Sequence, residues 1–539
     1  MQEYKVVIVG GGATGVGILR DLSMRGISAL LLEQGDLAHG TSSRFHGLLH
    51  SGARYAVKDP LSAAECISEN IILKKIAAHC ISDTGGWFVQ SDEDDPDYVE
   101  QWIRGCAKAG IPLREISLSE AYWKEPLLKR NILRVFEVPD ATVDGFKLVW
   151  ANAKSAKRYG GDYKTYHRVE RIILENKRIV GVAAKNLLNE EELLIGCQVV
   201  VNAGGAWASE IAGSIGVHLD VICDKGTLLA FNQRLFQRVI NRLHPPSDGD
   251  IFVPHETITI LGTTSEIVGS PRENQPKEEE IRRLLMTGEE LLPKIVERRV
   301  IRAFAGVRPL HREDSEVSGK MDEGREVSRN FALIDHEIHD QVQGLISIVG
   351  GKFTTYRLMA EKVTDWVAKR FGNLRPCSTA QEKLLPEISD DLKKRALQLL
   401  PCAAAEKMLK RLGEEAGAVL LEIQNDPRKG QMLCECEMVS VAEVEKVALD
   451  ADAHHLADIR RKTRLGMGTC QGAFCTYRAL PLLGLEYAKF DPLQDELKRF
   501  INQRWKGIRP ILWGQQLRET ELTRAIYTSI LQLSEIRDI

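Results

Sequence analysis

The sequence predicts an α/β protein in which a Rossmann-like dinucleotide-binding domain and an antiparallel-sheet substrate domain precede a mainly helical C-terminal region with a small four-cysteine domain. Three observations support this fold class. A glycine-rich strand–turn–helix unit opens the chain, apolar strand-like runs alternate with helical patterns up to about residue 375, and two close pairs of cysteines lie near the C-terminal end.

The length predicts several domains, because 539 residues are more than one hydrophobic core holds. We expect the nucleotide- and substrate-binding parts within residues 1–375, a linker and helical segment over 376–429, the four-cysteine domain over 430–485 and a helical extension over 486–539. The first boundary depends on "FGNLRPCSTAQEKLLPEISDD" (371–391), which has Gly, Pro and mixed charge without clear periodicity.

Composition excludes several classes of protein. Lys and Arg (72) nearly balance Asp and Glu (75), so no global charge favours nucleic acid as a partner. The start "MQEYKVVIVGGG" leads directly into a strand without a signal peptide, and the eleven cysteines are an odd number, so we expect a reducing compartment. No apolar run reaches the roughly 18–20 residues of a membrane helix, so we expect membrane contact to be peripheral or through a partner.

The glycine-rich unit is the strongest local signal in the chain. In "VVIVGGGATGVGILRDLSMRGISALLLE" a buried strand ends at Gly10, and Gly10, Gly12 and Gly15 form the pattern G-x-G-x-x-G. A helix over Ala13–Arg25 follows, and a second strand ends at Glu33. The glycines allow a tight turn, close approach of a pyrophosphate and close helix–strand packing. Together these features predict dinucleotide binding.

The start of this helix is the predicted anion site. Free N–H groups at Ala13 and Thr14 and the helix dipole favour the pyrophosphate. Glu33 is placed to accept a hydrogen bond from a ribose hydroxyl, and its charge would repel the 2′-phosphate of NADP.

Later glycine turns favour FAD over NAD. "VVVNAGG" contains Gly204, and "IVGGKFTTYR" contains Gly351, each after a strand-like run. Such turns bring backbone close to one extended FAD, whereas a second NAD site would more typically repeat the full fingerprint. We therefore expect a Rossmann-like FAD-binding domain.

A segment dense in His, Arg, Ser and Tyr, "TSSRFHGLLHSGARYAV" (41–57), suggests a substrate pocket or, alternatively, only a polar loop. Arg54, Arg308 and Lys352 would converge on an anionic substrate, because Arg binds phosphate or carboxylate in a bidentate manner and Lys acts as a point charge. Lys352 is also the candidate for stabilising reduced flavin. His50 and His46 are the titratable groups available as proton acceptors, or are buried hydrogen-bonding histidines.

The two cysteine pairs predict a soft-metal site. Cys434 and Cys436 form C-x-C, and after 33 residues Cys470 and Cys475 form C-x4-C within "GMGTCQGAFC". Four thiolates suit an iron–sulfur cluster, with structural zinc and unligated thiols as the alternatives. The intervening sequence predicts two short helices, the first starting near Ser440. Its basic run, Arg460, Arg461, Lys462 and Arg464, offsets thiolate charge or forms a solvated face.

These segments resemble a known family. "FHGLLHSGARY", "AGVRPL" and "GGKFTTYR" are similar to signature segments of FAD-dependent glycerol-3-phosphate dehydrogenases over roughly residues 1–370. "RWKGIRPILWG" (504–514) extends the resemblance to the A subunits of the anaerobic enzymes, and residues 430–485 resemble the bacterioferritin-associated-ferredoxin-like (BFD-like) [2Fe–2S] domain.

The resemblance implies oxidation of sn-glycerol 3-phosphate to dihydroxyacetone phosphate by hydride transfer to FAD, with electrons passing to (mena)quinone in anaerobic respiration and glycerol catabolism. An amino-acid or 2-hydroxy-acid dehydrogenase or oxidase of the same fold is the alternative. The implied partners are a second flavoprotein, in which FMN is a candidate cofactor, and an iron–sulfur membrane-anchoring subunit. The implied location is peripheral, on the cytoplasmic side of the cell inner membrane.

The resemblance also implies roles for individual residues. His50, Arg54 and Tyr55 would line the substrate pocket, and Arg308 would contact the substrate phosphate or the reacting hydroxyl. The flavin and the rest of the FAD would be contacted by Lys352, Thr354, Thr41, Ser42 and Ser43. The C-terminal Trp505 and Trp513 would contribute to a partner contact or pack on their own domain.

Overall fold

The structure, a computed structural model, describes residues 2–311, 330–483 and 493–530. Its strands are β1 (Gln2–Glu3), β2 (Val6–Val9), β3 (Ala29–Leu32), β4 (Leu48–Leu49), β5 (Ile81–Ser82), β6 (Gly86–Ser91), β7 (Arg114–Ile116), β8 (Ile132–Val138), β9 (Ala141–Val143), β10 (Asp162–Lys164), β11 (His167–Glu175), β12 (Arg178–Asn186), β13 (Glu192–Gly196), β14 (Val199–Asn202), β15 (Ile222–Phe231), β16 (Val239–Arg242), β17 (Ile251–His255), β18 (Ile258–Gly262), β19 (Glu266–Val268), β20 (Val300–Leu310), β21 (Phe331–Asp335), β22 (Leu345–Gly350), β23 (Met432–Cys434) and β24 (Val439–Ser440).

Its α-helices are α1 (Ala13–Met24), α2 (Pro60–Ile76), α3 (Pro96–Ala109), α4 (Leu118–Lys124), α5 (Gly145–Arg158), α6 (Ala208–Gly213), α7 (Glu278–Gly288), α8 (His336–His339), α9 (Tyr356–Arg370), α10 (Asp390–Leu399), α11 (Cys402–Leu412), α12 (Ala416–Asn425), α13 (Val441–Ala448), α14 (Leu456–Thr463), α15 (Cys475–Ala479), α16 (Leu493–Ile508) and α17 (Gly514–Ala525). Short 3-10 turns join several of them.

A six-stranded sheet carries the nucleotide end, in the order β10–β3–β2–β14–β22–β21. Its pairs are parallel except the last, between β22 and β21. Strands β2, β3 and β14 are buried along their whole length because their continuous Val, Ile and Leu runs are covered on both faces. This arrangement confirms the predicted α/β class and places the ends of β2, β14 and β22 along one edge.

Helix α1 packs on this sheet against α5 and α9. Its inward side chains, such as Leu19 and Leu22, are fully buried, so truncation of either to Ala would cost about 2–5 kcal/mol. Glycine is required where the helix meets the strand: Gly10 has φ +114°, and a Cβ on Gly15 would stand 1.9 Å from the Gly10 carbonyl oxygen. The helix ends at Met24, one residue before the predicted end.

A second sheet forms the predicted substrate part. It runs in the order β19–β15–β18–β17–β16–β6–β8–β7, with β20 also paired to β15. All pairs are antiparallel except β16 with β6. The Thr/Ile-rich sequence 255–265 supplies β18, as the sequence predicts.

The C-terminal region is mainly helical. Residues 371–389, where the sequence predicts a linker, contain no helix or strand, and Leu384 packs into the core of the nucleotide part. Helices α10 to α14 and the β23–β24 hairpin share one hydrophobic core, and α13 starts after its N-cap Ser440 as predicted. Within the described ranges, no helix has the length and apolar character needed to cross a bilayer.

Candidate active site and four-cysteine centre

One cavity of about 1040 Å³ lies between the glycine turns, the segment 41–57 and the ends of β20 and β22. It brings together most of the side chains and turns that the sequence singles out. Those lining it are Gly10, Gly12, Ala13, Thr14, Glu33, Thr41, Ser42, His46, His50, Arg54, Tyr55, Gly204, Arg308, Gly351 and Lys352.

The nucleotide end of this cavity is an anion cradle built from backbone. Gly12 precedes α1, and a Cβ there would lie 3.1 Å from Oγ of Ser42. That hydroxyl accepts a hydrogen bond from the Ala13 N–H at 2.9 Å. Glu33 accepts from the N–H groups of Gly11 (2.6 Å) and Gly35 (2.8 Å). The glycine turn, the helix start and the half-buried Glu33 carboxylate together fit the pyrophosphate and ribose of FAD.

Three of the predicted cofactor residues support the cavity from outside its lining. Gly15 packs helix against strand, Ser43 donates to the Gly40 carbonyl, and the buried Thr354 hydroxyl accepts from the His50 N–H at 3.1 Å. Thr41 lines the cavity but donates its hydroxyl to the Val307 carbonyl at 2.6 Å. FAD contacts for these side chains stay predictions.

The three predicted cations do converge at the other end of the cavity. Nη2 of Arg54 lies 2.8 Å from the fully buried carboxylate of Asp250. Nε of Arg308 lies 3.2 Å from the equally buried Asp224. The Lys352 ammonium donates to the hydroxyl of Ser62 at 2.8 Å, and it stands 5.0 Å from the centre of the Tyr55 ring.

The Arg54–Asp250 pair is fixed from several sides. Asp250 also accepts from the Ser247 N–H at 3.0 Å and lies 3.4 Å from His244. Burial would raise the pKa of Asp250, but the charge of Arg54 and the hydrogen bonds from His244 and Ser247 bring it well below its usual value. The carboxylate therefore stays ionised and holds Arg54 in place when no substrate is bound.

The two candidate histidines differ in their hydrogen bonds. Nδ1 of His46 accepts from the Leu48 N–H at 3.1 Å, so its neutral ring carries the proton on Nε2. The His46 carbonyl in turn faces Nε2 of His255 at 2.7 Å. The ring of His50 makes no hydrogen bond to any residue that the structure describes, and it lies edge-on to His46 with the centroids 5.7 Å apart.

Both imidazoles are held neutral. Burial, assisted by Arg54 and Arg308, lowers the pKa of His46 to about 3. Burial, with the neighbouring imidazole of His46 and the positive charges of Arg54 and Lys352 acting in the same direction, lowers the pKa of His50 well below 6.5. A neutral ring whose nitrogens are not committed to backbone can accept a proton, so His50 is better placed for that task than His46.

Sequence reasoning missed the partners of the cations. Asp250 and Asp224 lie at or near strand starts in "SDGDIFVP" and "VICDKGT", and nothing in one sequence links them to arginines far along the chain. It also missed Arg44, which lines the cavity. Arg44 stands in the segment 41–57, whose density of polar residues is the one signal that pointed to it.

The four predicted cysteine ligands meet in the C-terminal domain. The sulfurs of Cys436 and Cys470 are 3.7 Å apart. Each of the four thiols is within hydrogen-bonding reach of two others, which closes a ring in the order 434, 436, 470, 475. Backbone N–H groups of Gly466 and Gly472 point at the sulfurs of Cys434 and Cys470 respectively.

The backbone around the four thiols is closely packed. A Cβ on Gly468 would stand 2.6 Å from Cβ of Cys436, so glycine is required there. As the side chains stand, no three His, Cys, Asp or Glu residues of the described ranges form a ready cage for a single metal ion. Four adjoining thiols with N–H donors around them fit the ligand set of an iron–sulfur cluster.

The basic run beside the ring mostly ties the two halves of the chain together. Arg461 bridges Asp36 and Asp458 at 2.5 Å each, and Arg464 bridges Asp144 and Glu437 at 2.9 Å each. The Lys462 ammonium stands 4.3 Å from the ring centre of a tryptophan in α5. These contacts show that Arg461, Lys462 and Arg464 form neither a solvated face nor a simple counter-charge to the thiols.

Strand β20 connects the cavity with the cysteine ring. At one end, a Cβ on Gly306 would stand 2.2 Å from the Arg44 carbonyl oxygen. Farther back, a Cβ on Gly507 of α16 would stand 2.7 Å from the Ala303 carbonyl oxygen. On the same helix, Nη2 of Arg504 donates to the Cys470 carbonyl at 3.2 Å.

The C-terminal tryptophans pack within the chain. Trp505 is buried in a cluster with other apolar side chains of α16 and with Tyr527, and Trp513 packs on the core of the substrate sheet. Self-packing, one of the two interpretations of these residues, accounts for both side chains.

Comparison with known proteins agrees with the two centres. The family model "FAD dependent oxidoreductase" matches residues 5–366, and "BFD-like [2Fe-2S] binding domain" matches residues 432–484, which include all four cysteines. The fold and the site therefore define an FAD-dependent oxidoreductase with an iron–sulfur domain.

Relatives over the full length are more specific. The chain is 42% identical to the A subunit of the anaerobic glycerol-3-phosphate dehydrogenase of Escherichia coli, over 99% of this chain and 98% of the relative. It is 40% identical to the corresponding protein of Haemophilus influenzae, over 99% and 94%. The chain belongs to the family of anaerobic glycerol-3-phosphate dehydrogenase A subunits.

A solved structure confirms the fold. The glycerol-3-phosphate dehydrogenase from Bacillus halodurans complexed with FAD superposes with a TM-score of 0.69, covering 95% of this chain and 96% of that one at 22% identity. At this identity the likeness concerns architecture alone.

Proposed function

We propose that this chain oxidises sn-glycerol 3-phosphate to dihydroxyacetone phosphate, with FAD as the hydride acceptor and the four-cysteine domain as the exit for electrons. The observation that carries the proposal is the convergence of Arg54, Arg308, Lys352 and His50 on a cavity whose other end is the FAD cradle. The full-length relatives named for this activity support the choice of substrate.

The cations bind and orient the substrate. Arg54 and Arg308 are held by buried carboxylates, so their guanidinium groups need little rearrangement when a phosphate arrives. Lys352 adds a point charge beside Tyr55. The proposed roles of these three side chains in substrate binding depend on the fact that they line the same end of the cavity.

His50 takes the proton of the reacting hydroxyl. Its ring is neutral, lines the cavity and is fixed through its backbone N–H by Thr354. When bound, FAD supplies the acceptor for the hydride that leaves the same carbon. The nearby positive charges stabilise the negative charge that develops as the hydroxyl loses its proton.

Electrons leave toward a quinone through partner subunits. A [2Fe–2S] cluster accepts one electron at a time, which suits the passage from a two-electron flavin to such a chain. The relatives are named as A subunits, which supports assembly with other subunits. We propose a second flavoprotein, with FMN as its candidate cofactor, and an iron–sulfur membrane anchor as partners. The proposed location is peripheral, at the cytoplasmic side of the inner membrane.

The test is a substrate screen on the purified chain without partners. Under anaerobic conditions, sn-glycerol 3-phosphate should bleach the flavin absorption, whereas glycine, proline and 2-hydroxyglutarate should not. Bleaching by an amino acid or a 2-hydroxy acid instead would assign the chain to the alternative activity of the same fold.

A further inference from the structure

Several arginines between the cavity and the cysteine ring have no carboxylate partner among the residues that the structure describes. Arg504 is 7% exposed; its Nη2 meets the Cys470 carbonyl, while its Nε and Nη1 are buried without a hydrogen bond. Arg460 makes no side-chain hydrogen bond within the described ranges, and its Nε is buried. Arg302 bonds only a backbone carbonyl, at 3.5 Å, and its Nη1 is buried and unpaired.

These side chains form a continuous positive zone. Burial, assisted by the charges of Arg44 and Arg504, lowers the pKa of Arg302 to about 10. Burial also lowers the pKa of Arg460 to about 9, with Arg302 and Arg461 acting in the same direction and the Cys475 thiol opposing them. The zone therefore extends from Arg44 in the cavity wall to the cysteine ring.

A zone of positive charge without carboxylate partners needs a negative group close by. A buried cation without a partner costs several kcal/mol, so evolution seldom retains one unless an anion lies close by. The neighbouring basic residues show the usual solution: Arg461 and Arg464 each sit between two carboxylates. Arg504 instead donates to the Cys470 carbonyl, and Arg460 lies close enough to the Cys475 thiol for the two groups to interact electrostatically. A four-thiolate iron–sulfur cluster is negative in both oxidation states and gains a further negative charge on reduction.

We propose that Arg504 and Arg460 are the counter-charges of the [2Fe–2S] cluster and that they raise its reduction potential, with Arg302 extending the positive field toward the cavity. A fixed cation stabilises the reduced cluster more than the oxidised one, because the reduced cluster carries more negative charge. The cluster is thereby poised to receive electrons from the direction of the cavity. The proposal depends on the cluster and not on which substrate reduces the flavin.

The expected size follows from Coulomb's law. A unit charge on the order of 10 Å away in a medium of effective dielectric about 20 changes the reduction equilibrium by roughly tenfold. For a one-electron couple a tenfold change is about 59 mV. Arg504→Gln and Arg460→Gln should each lower the midpoint potential of the cluster by about this amount.

The experiment is a redox titration of the purified full-length chain with a chemical reductant and mediators, in which the EPR signal of the reduced cluster is followed. Arg504→Lys keeps the charge and should remain within about twofold of the parent equilibrium. Arg478→Gln is the matched control: Arg478 lies on α15 with Cys475, but it is 36% exposed and paired with Glu435 at 2.8 Å, so solvent and its partner screen it.

Arg460→Gln tests whether these arginines raise the reduction potential even if Arg504→Gln loses its cluster. We expect Arg460→Gln to keep the cluster, because it removes no side-chain hydrogen bond to a described residue. A lowered potential in Arg460→Gln, with Arg478→Gln unchanged, supports the proposal. A potential in Arg460→Gln that equals that of the Arg478→Gln control, or lies above the parent value, overturns it. Since no substrate is added, neither result depends on the proposed activity.

Discussion

The substrate end of the cavity and the surroundings of the cysteine ring hold their positive charges differently. In the cavity, Arg54 and Arg308 each lie against a fully buried aspartate. Around the ring, Arg504 and Arg460 have no carboxylate partner in the described part of the chain. Strand β20 connects the two regions.

Whether an arginine has a carboxylate partner reflects how long its anion stays bound at the site. A substrate arrives and leaves in every cycle, so the cations that bind it need protein partners while the site is empty. A metal cluster is resident, and its own charge serves as the permanent partner. Arg44, which lines the cavity without a carboxylate partner among the described residues, follows the resident pattern and fits a position beside bound FAD.

The largest effect should come from removing a cluster ligand. Cys475→Ser should abolish the visible absorption beyond the flavin bands and the EPR signal of the reduced protein, because Cys475 is one of four adjoining thiols. Substrate should still bleach the flavin. Cys402→Ser, at an exposed thiol, should change neither property. Stoichiometric zinc without an EPR signal in the parent protein would contradict the cluster assignment.

Replacement of the proposed base should have the next largest effect. His50→Gln should lower the rate of flavin reduction by roughly 10²- to 10⁴-fold, as expected for loss of general-base catalysis. Stopped-flow measurement of flavin bleaching checks this. His79→Gln removes a half-buried imidazole outside the cavity lining and should leave the rate unchanged. An equal rate in His50→Gln would remove His50 from this role.

The pH dependence of the flavin reduction rate should also report on His50 as the base. The pKa of His50 lies well below 6.5, and a base is active above its pKa, so the rate of flavin reduction should stay flat from about pH 8 to about pH 6. An ordinary histidine would lose activity across that interval. A decline centred near pH 6.5 would show that burial does not hold His50 neutral.

Loss of a substrate cation should affect binding more than turnover. Arg54→Ala should raise KM for glycerol 3-phosphate roughly 10- to 100-fold, because a charge-assisted hydrogen bond contributes about 1.5–3 kcal/mol. Steady-state kinetics with a dye acceptor measures it. Arg134→Ala, which removes a surface arginine paired with Glu100 and Glu115, is the control. Unchanged kinetics in Arg54→Ala would exclude Arg54 from phosphate binding.

The smallest effect concerns the junction of the two regions. The Tyr163 hydroxyl donates to Asp452 at 2.8 Å between β10 and the segment before α14. Tyr163→Phe should lower the free energy of unfolding by about 1 kcal/mol without altering the flavin or cluster spectra. A shifted denaturant midpoint in the parent–variant comparison checks this, and an altered EPR signal would mean that the junction shapes the cluster itself.

Structural features that depend on a local sequence pattern could be predicted from the sequence. The glycine turn, α1 and the cysteine spacing are each encoded within a few dozen residues, and the structure places them as predicted. The carboxylate partners could not be predicted, because Arg54 meets Asp250 across 196 positions and Arg464 meets Asp144 across 320. The same holds for Thr354, which was predicted near the flavin and supports His50 across 304 positions.

The basic run shows the same limit on the functional side. Its composition indicated either a counter-charge for the thiols or a solvated face. Only the tertiary structure separates Arg461 and Arg464, which form ion pairs with the flavin-binding part, from Arg460, which interacts electrostatically with the Cys475 thiol.

The central claim is that one chain oxidises glycerol 3-phosphate at the cavity and passes the electrons to its own cysteine domain. The most direct measurement mixes the purified chain anaerobically with sn-glycerol 3-phosphate and follows the flavin absorption and the cluster EPR signal in the same sample. We expect the flavin to bleach and the signal of the reduced cluster then to appear. Bleached flavin without a cluster signal, in a sample where dithionite does produce one, would contradict it.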